Sequence, residues 1–182
     1  TVMDIDEFSN PQILKNPVDR CYICKQMLFT KLKDFACENG YHKIIDGTNA
    51  DDHKEYRPGI KALSELGIVS PLAELGINKA EIRSCAKALG LKVHNKPSAP
   101  CMATRFPYNT DITREILEKV EIAENFLKSL DLSVCRLRVH GDTARIEVTE
   151  DNFEIVIKNK KIITEKFKAL DFAYVTLDLE GF

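Results

Sequence analysis

The sequence predicts an α/β fold, in which a lobe with a parallel sheet is followed by a smaller α+β lobe. In the first lobe a helical pattern ends at Asn39-Gly40 and an apolar strand pattern follows at 41–46, which is the order of a parallel crossover. In the second lobe, residues 134–148 alternate between polar and apolar side chains, as the two strands of a hairpin do. The pattern changes near Pro107, which divides the chain into residues 1–106 and 107–182.

The composition narrows the classes of function. The chain of 182 residues can bury a core, and 26 basic against 28 acidic residues give a formal net charge of −2. This balance argues against bulk electrostatic capture of nucleic acid. The sequence has no apolar run of membrane-spanning length and no signal peptide, so we expect a soluble cytoplasmic protein with no membrane partner. The sequence begins at Thr1 in mid-pattern, and we expect further residues upstream.

Three helices are predicted in the first lobe from their start and stop signals. These signals are an N-cap at Asp19, a stop at Gly67 after a helix over 58–66, and a capping box of Asn78 with Glu81. Residues 70–72, Ser-Pro-Leu, are predicted to be a connector. Cys37 and Cys85 fall in apolar helical stripes, and we interpret both as core residues.

Cys21 and Cys24 form a C-x-x-C pair in the predicted first helical turn after Asp19. Side chains three apart on a helix face the same way, and a helix N-terminus stabilises thiolates. The pair suits a soft metal or a redox disulfide, and chance spacing is an open alternative. Zinc-finger spacing of further ligands is absent. With the distant Cys101 the thiols number three, which suits an iron-sulfur cluster with one open iron.

Polar side chains follow the predicted strand at 41–46. They are Asp46, Asn49, Asp51 and Asp52. Ligands of parallel sheets bind beyond the carboxyl ends of the strands, so these side chains are placed to hold a ligand or Mg²⁺. A solvated turn explains the same composition equally well.

The loop at 96–105, Lys-Pro-Ser-Ala-Pro-Cys-Met-Ala-Thr-Arg, presents Cys101. Its two prolines oppose a helix before the cysteine. Lys96 and Arg105 bracket the cysteine with positive charge, which favours a thiolate. We therefore interpret Cys101 as a presented nucleophile or ligand, although a half-buried cysteine in a connector is the alternative.

A long helix opens the second lobe, which Thr113 caps and which runs to Leu130. Helical geometry places Glu124 inside the apolar stripe of this helix. A buried carboxylate needs a cation, a metal or hydrogen-bond donors, so either a structural ion pair or contact with a ligand explains it. Beyond the hairpin, helical segments at 151–157 and 162–170 and a strand at 172–179 are predicted.

The predicted hairpin has a two-residue turn, which pairs Arg138 with Arg145 and Arg136 with Glu147. Facing arginines repel each other. A phosphate between or above them would make the arrangement favourable, because a guanidinium binds phosphate through two parallel hydrogen bonds. The alternative is a solvated arginine face with neighbouring carboxylates, Glu124 and Glu147 among them.

These pieces together resemble the LarE family, the ATP-dependent sulfur transferases of nickel-pincer nucleotide biosynthesis in the PP-loop (adenine nucleotide α-hydrolase-like) superfamily. The matching stretches lie in order at 16–25, 46–52, 56–59, 70–72, 79–83, 96–105, 136–148 and 177–181. The resemblance implies that residues 1–106 are the remainder of a truncated, Rossmann-like PP-loop ATP pyrophosphatase-like domain. It implies that residues 107–182 form a substrate-binding and oligomerisation domain.

The resemblance implies an enzyme that adenylates a carboxylate of pyridinium-3,5-biscarboxylic acid mononucleotide, after which sulfur displaces AMP to give a thiocarboxylate. Some family members sacrifice the sulfur of the cysteine at the position of Cys101, whereas members with C-x-x-C hold a 4Fe-4S cluster. With Cys21, Cys24 and Cys101 as metal ligands, this chain is identified as the cluster type. The other implied cofactors, in the full-length protein, are ATP and Mg²⁺.

The resemblance also implies roles for polar residues of the second lobe. The positions around the substrate phosphate and the sulfur-transfer site are Thr104, Arg105, Glu124, Arg136, Arg138 and Glu147, and Arg145 faces them across the hairpin. Lys96 and Arg105 would hold the negative charge that develops beside Cys101. The expected partners are a small nucleotide substrate and further copies of the chain, without nucleic acid.

In the family, an N-terminal Ser-Gly-Gly-x-Asp-Ser loop holds the ATP phosphates, and this chain has no such loop. We therefore expect the chain alone to be inactive in adenylation. Two other functions stay open. A tRNA thiolase of the same superfamily is disfavoured by the balanced charge and the absent zinc spacings, and a non-catalytic zinc or oligomerisation module is favoured by the missing loop.

Overall fold

A computed structural model describes residues 1–54 and 56–181 and forms two compact units. The first unit consists of Thr1–Ile13 and Pro17–Pro97, and the second of Leu14–Asn16 together with the chain from Ser98 onward. The boundary predicted near Pro107 lies within the second unit. The assignment of residues 1–106 and 107–182 to two functional domains stays a prediction.

The first unit is mostly helical. Its helices are α1 (Pro11–Leu14), α2 (Arg20–Glu38), α3 (Pro58–Glu65), α4 (Pro71–Glu74) and α5 (Lys79–Ala88). Asp19 takes the predicted N-cap position of α2 but makes no side-chain capping hydrogen bond, and Gly67 follows α3 with a φ of 69° that favours glycine. The predicted capping box is confirmed, because Asn78 and Glu81 each accept a hydrogen bond from the backbone N–H of the other.

The strand predicted at 41–46 forms a single β-bridge, in which Ile45 pairs in parallel with Val69. The Asp46 N–H donates to the Val69 carbonyl (3.0 Å), and the Val69 N–H donates to the Ile44 carbonyl (3.1 Å). Ile45 is 67% exposed, so its side chain buries little apolar surface that could support a longer ladder. The strand is therefore shorter than predicted, although the α/β class itself is confirmed.

Two further expectations for the first unit are wrong. Residues 70–72 are not a plain connector, because Pro71 is the first residue of α4, a position where its missing N–H is tolerated. None of the ten residues of α5, all of them described, is buried. Cys85 on this helix and Cys37 on α2 are exposed rather than core residues, because an apolar stripe is buried only where a neighbouring element covers it.

The second unit packs helices against a mixed sheet. Its elements are α6 (Arg114–Lys128), β1 (Cys135–His140), β2 (Thr143–Val148), α7 (Phe153–Lys158), α8 (Lys160–Lys168) and β3 (Tyr174–Leu177). In the described residues the sheet order is β1-β2-β3, antiparallel between β1 and β2 and parallel between β2 and β3. These elements are the predicted ones with bounds that differ by at most two residues, and Thr113 caps α6 by accepting from the Ile116 N–H.

The hairpin has the predicted register, with Arg138 opposite Arg145 and Arg136 opposite Glu147. Its other face is apolar and lies in the core of the unit. The core residues with an exposed fraction of 1% or less are Val120, Ala123, Leu127, Leu132, Leu137, Ala144, Ile146, Val148, Ile163 and Phe167. Burial of this set is the main source of stability for the unit. Across the described residues, no helix is long and apolar enough to cross a membrane.

Candidate functional site

Cys21 and Cys24 lie in the first turn of α2. The Cys21 side chain is exposed and that of Cys24 is half-buried, so both sulfurs stand at the surface of the first unit. The buried Arg20 donates from Nη2 to the Cys21 sulfur at 3.9 Å. One donor of the Arg20 guanidinium therefore lies against the Cys21 sulfur in the first turn of α2.

The helix that carries the cysteine pair is fixed to α3 by polar contacts. Tyr22 donates its hydroxyl hydrogen to Glu65 Oε2 at 2.6 Å, and Gln26 donates from Nε2 to the same oxygen at 2.8 Å. Gly59 of α3 lies against α2, where an added Cβ would stand 2.9 Å from Lys25 Cδ. The two helices therefore approach closely directly beneath the C-x-x-C turn.

Asp46 is committed to its own loop. Its carboxylate accepts hydrogen bonds from the Thr48 N–H (3.2 Å), the Thr48 hydroxyl and the Ser70 hydroxyl (2.6 Å). Burial alone would raise the pKa of Asp46, but the hydrogen bonds from Ser70 and Thr48 outweigh it and lower that pKa below its ordinary value. Asp46 is therefore an ionised carboxylate that holds the turn together.

The other three residues of this loop are also paired within the protein. The Asp52 carboxylate accepts from the Asn49 N–H (3.0 Å) and pairs with Arg57 (3.0 Å). Asn49 Oδ1 in turn accepts from the Asp51 N–H at 3.0 Å. Asp51 pairs with Lys54 at 2.8 Å and accepts from the backbone N–H at the start of α5. The loop forms a hydrogen-bonded turn, and its role in holding a ligand or Mg²⁺ stays a prediction.

Cys101 stands exposed at the start of a 3₁₀ turn, Met102–Arg105, in the second unit. Its backbone carbonyl accepts two hydrogen bonds from Thr104, one from the N–H at 2.9 Å and one from the hydroxyl at 2.7 Å. The thiol is thus accessible while the backbone on its carboxyl side is held. Lys96 is exposed and belongs to the first unit, where its carbonyl accepts from Arg83 at 2.8 Å.

The Arg105 side chain turns inward instead of facing solvent beside Cys101. It is 6% exposed, and its Nε and Nη2 donate to the two oxygens of Glu124 at 2.8 and 3.3 Å. Nη1 lies 3.2 Å from Thr104 Oγ1 and 3.5 Å from the Pro100 carbonyl. Glu124 also accepts from the Leu137 N–H at 3.0 Å, so the ion-pair explanation of its burial is the one observed.

The arginines of the hairpin share carboxylates. Arg138 Nε lies 3.0 Å from both oxygens of Glu147, and Arg145 Nη2 lies 2.8 Å from one of them. Arg145 Nε is 3.4 Å from Asp178 Oδ2. These carboxylates offset the repulsion between the facing arginines without an external anion. The Arg138 and Arg145 side chains are still 26% and 39% exposed, so the face is open to solvent.

The positive charge of this face is dense enough to affect Arg136. Burial, and then the neighbouring guanidiniums of Arg105 and Arg138, lower the pKa of Arg136 below its ordinary value. The group stays charged at neutral pH because arginine starts so high. An anion on this face would relieve the repulsion, and the phosphate role of the hairpin stays a prediction.

The structure joins most of the second-unit site residues in one hydrogen-bonded network. Its members are Thr104, Arg105, Glu124, Arg138, Arg145 and Glu147. Within neither unit do the described residues include three or more His, Cys, Asp or Glu side chains grouped to hold a metal. Cys101 belongs to the second unit and the C-x-x-C pair to the first, so the three-cysteine ligand set stays a prediction.

Sequence reasoning missed residues that the structure places at these sites. Arg20 contacts the Cys21 sulfur, and its position directly before the C-x-x-C pair was the available signal. Asp178 contacts Arg145 only through the return of β3 to the sheet. Outside these sites, Asn16 is fully buried with a φ of 51°, and its Nδ2 donates to the Pro107 carbonyl at 2.8 Å. No local pattern marks either of these last two contacts.

Comparison with curated proteins finds three relatives, while no family model matches the chain. An uncharacterized protein of Synechocystis, slr1717, is 41% identical over all of this chain and 68% of its own length. The pyridinium-3,5-bisthiocarboxylic acid mononucleotide synthase of Lactiplantibacillus plantarum is 38% identical over 98% of this chain and 64% of its own length. The uncharacterized protein MJ0830 of Methanocaldococcus jannaschii is 38% identical over 93% and 66%. The chain spans about two thirds of the length of each relative.

Proposed function

The chain belongs to the LarE-like family, the family of the pyridinium-3,5-bisthiocarboxylic acid mononucleotide synthase, and on this premise we propose that it is part of an ATP-dependent sulfur transferase. The supporting observation is the 38% identity to that synthase over 98% of this chain. The proposed substrate is the carboxylate form of the same nucleotide, pyridinium-3,5-biscarboxylic acid mononucleotide. A cytoplasmic homo-oligomer without nucleic acid is part of the proposal.

The proposed reaction has two steps that balance. In the first, a substrate carboxylate oxygen attacks the α-phosphorus of ATP, pyrophosphate leaves and an acyl adenylate forms. In the second, a sulfide attacks the acyl carbon and the C–O bond to AMP breaks, which yields a thiocarboxylate and releases AMP. Adenylation is needed because an oxide is a poor leaving group, whereas AMP is a good one.

The exposed thiol of Cys101 is the group of the second unit that we propose for sulfur delivery, as a ligand of the 4Fe-4S cluster that would carry the sulfide. Its carbonyl is held by Thr104, so the loop presents the side chain without being free to collapse. Lys96 is the first residue of the loop at 96–105, and its positively charged side chain is exposed. We propose that this charge stabilises the oxyanion that forms at the acyl carbon.

A 4Fe-4S cluster fits the donor chemistry of the C-x-x-C turn. Cys21 and Cys24 lie on the same helical turn with accessible sulfurs, and Arg20 donates to the Cys21 sulfur. Cys21, Cys24 and Cys101 would be its ligands. When bound, such a cluster supplies an iron that no protein side chain occupies and that can carry sulfur.

Mg²⁺ fits the acidic loop less well. Each carboxylate of Asp46, Asp51 and Asp52 already accepts hydrogen bonds or ion pairs from the protein. A cation would have to replace these partners. We therefore assign no step to Asp46, Asn49, Asp51 or Asp52, and the ATP and Mg²⁺ requirement rests on family membership.

The open arginine face is the site that we propose for the nucleotide phosphate. Arg136 and Arg138 lie on one strand and Arg145 on its partner, with solvent-exposed guanidinium surface. Planar guanidiniums bind phosphate oxygens in pairs. The Glu147 carboxylate keeps Arg138 and Arg145 oriented and does not neutralise all of their charge.

The decisive experiment is anaerobic assay of the full-length natural protein with ATP, the biscarboxylic nucleotide and sulfide, with mass spectrometry of the product. We expect a thiocarboxylate from the wild type and none from Cys101→Ser. Cys37→Ser is the matched control, because Cys37 is also exposed but lies in the last turn of α2, outside the proposed set of cluster ligands, and it should retain full activity.

Metal analysis of the same anaerobic preparation separates the alternatives. About four irons and four sulfides per chain, lost in Cys24→Ser, would support the cluster. Zinc without iron would instead favour a non-catalytic metal module. Thiolation of tRNA, with no product from the nucleotide, would favour the tRNA thiolase.

A further inference from the structure

We infer that Arg105 and Glu124 form a buried clamp that positions the Cys101 loop, and that neither contacts the substrate. The inference rests on the proposed function and assigns positioning residues to that same site. It concerns residues of the second unit alone.

The hydrogen-bond donors of the Arg105 guanidinium are used within the protein. All three of its nitrogens are engaged, Nε and Nη2 by Glu124 and Nη1 by Thr104 Oγ1 and the Pro100 carbonyl. With 6% of the residue exposed, little donor surface is left for a phosphate or an oxyanion. A guanidinium enclosed in this way affects the reaction through the backbone that it positions.

The Arg105 guanidinium holds the backbone on both sides of Cys101. Pro100 directly precedes Cys101, and the Thr104 hydroxyl donates to the Cys101 carbonyl. Nη1 therefore contacts the chain on both sides of the cysteine. A second arginine, Arg138, donates from Nη1 to the Thr104 carbonyl. The backbone that carries the exposed thiol is fixed at three polar atoms.

Glu124, the carboxylate that binds Arg105, is itself held by packed elements. Glu124 is 5% exposed on α6, and its Oε1 also accepts from the Leu137 N–H of β1. The carboxylate thus ties the loop to a helix and to strand β1, both of which carry core residues that are 0% exposed, such as Val120 and Leu137. Elements packed in this way lock a supporting side chain in one geometry.

A purely structural ion pair would be dispensable for stability. Replacing a buried ion pair by uncharged groups of similar volume is often neutral for folding, whereas removing one partner leaves a buried charge. What Arg105 adds beyond packing is the pair of contacts that flank Cys101. A double substitution that removes both charges therefore separates positioning from stability.

The test compares Arg105→Met/Glu124→Gln with the wild type by amide hydrogen exchange, read by NMR. The Glu124→Gln change keeps an oxygen for the Leu137 N–H, and the Arg105→Met change keeps the volume of the arginine stem. We expect exchange at the Thr104 and Phe106 amides to accelerate by about ten-fold or more, with α6 and the hairpin unchanged. Unchanged exchange at the loop, or equal acceleration throughout the second unit, would overturn the inference.

Two controls keep the result interpretable. Lys119→Met removes a cation of the same unit that pairs with Asp171 and Glu115, away from the Cys101 loop, and should leave loop exchange at the wild-type rate. If the double variant does not fold, Arg105→Lys retains a charge for Glu124 but cannot span Pro100 and Thr104. It should show the same localised acceleration, and wild-type exchange in Arg105→Lys would contradict the clamp.

Activity of the full-length protein provides the second readout. We expect kcat for sulfur transfer to fall by about ten- to hundred-fold in the double variant while KM for the nucleotide is unchanged. A raised KM at unchanged kcat would instead indicate substrate contact and refute the inference. If the wild type transfers no sulfur, the proposed function fails, while the exchange measurement still decides whether the clamp exists.

Discussion

The two units hold their candidate site residues in different ways. In the second unit the network of Arg105, Glu124 and Glu147 is buried against a continuous apolar core. In the first unit the acidic loop and the cysteine pair lie at the surface, above a much smaller set of buried apolar side chains. That set is Ile13, Ala36, Ala62, Leu63 and Ile68.

The difference shows which polar contacts depend on long-range packing. The bonds of the acidic loop mostly join residues two or three apart, such as Asp46 with Thr48 and Asn49 with Asp52. Those of the second-unit network join residues far apart in sequence, such as Arg105 with Glu124 and Thr104 with Arg138. Local bonds in water contribute little each, whereas a buried network depends on every partner. Four predictions test this contrast.

The largest effect is expected from the core of the second unit. Phe167 is 0% exposed and packs on Phe172 with ring centroids 6.2 Å apart. Phe167→Ala should lower the free energy of unfolding by about 3–5 kcal/mol. Ile82→Ala, on the half-buried side of α5, is the matched truncation and should cost less than about 1 kcal/mol. Equal losses in urea titrations would end the contrast between the units.

A buried thiol should make the second unit sensitive to alkali. Burial, and then the Glu124 charge, raise the pKa of Cys135 to about 11. The thiol of an unfolded cysteine has a pKa of about 8.5. The contribution of the protonated Cys135 thiol to stability is therefore fully present below that pH and is lost as the pH rises through the folded pKa.

The comparison that isolates this effect is Cys135→Ala, measured under reducing conditions. The wild type should lose about 2 kcal/mol more than this variant between about pH 8.5 and pH 11. Cys37→Ala removes an exposed thiol of the first unit and should keep the wild-type profile. A parallel profile for Cys135→Ala and wild type would show that the buried thiol has no such role.

The close approach of α2 and α3 predicts a coupled effect in the first unit. A Cβ on Gly59 would stand 2.9 Å from Cδ of the flexible Lys25 side chain, which would have to move aside, so Gly59→Ala should destabilise by less than about 1 kcal/mol. In a Lys25→Ala background the same substitution should cost nothing, because the opposing side chain is gone. A thermal-unfolding cycle measures this coupling, and additive effects would place the strain elsewhere.

The smallest effect is expected at Asp46. Burial opposes ionisation, but hydrogen bonds from Ser70 and Thr48 lower its pKa. Its contribution is therefore present above the unfolded pKa of about 3.9 and is lost as the pH falls through the lower folded pKa. Asp46→Asn should reduce the loss of unfolding free energy at acid pH by under about 1 kcal/mol, because the site is partly exposed. The measurement is thermal unfolding as a function of pH. Asp34→Asn changes an exposed carboxylate of α2 and should keep the wild-type pH dependence. The same pH dependence in Asp46→Asn and the wild type would refute the assignment.

Much of the fold could be predicted because its signals are local. The N-cap at Asp19, the capping box of Asn78 with Glu81, and the glycine stop at Gly67 depend only on neighbouring backbone groups. The hairpin register followed from alternation and a two-residue turn, and Arg138 faces Arg145 as expected. The candidate cysteines Cys21 and Cys101 were likewise marked by their immediate sequence, and their exposure agrees with that interpretation.

Other features depend on contacts between residues far apart in the chain. The sequence by itself determined where helices begin and end, the strand register of the hairpin and the burial of Glu124. Only the tertiary structure decided that Arg105 is the partner of Glu124, that Cys37 and Cys85 are exposed, and that Ile45 forms a single bridge. The physical reason is that capping and alternation are satisfied within a few residues, whereas burial and ion pairing require a surface supplied by another element.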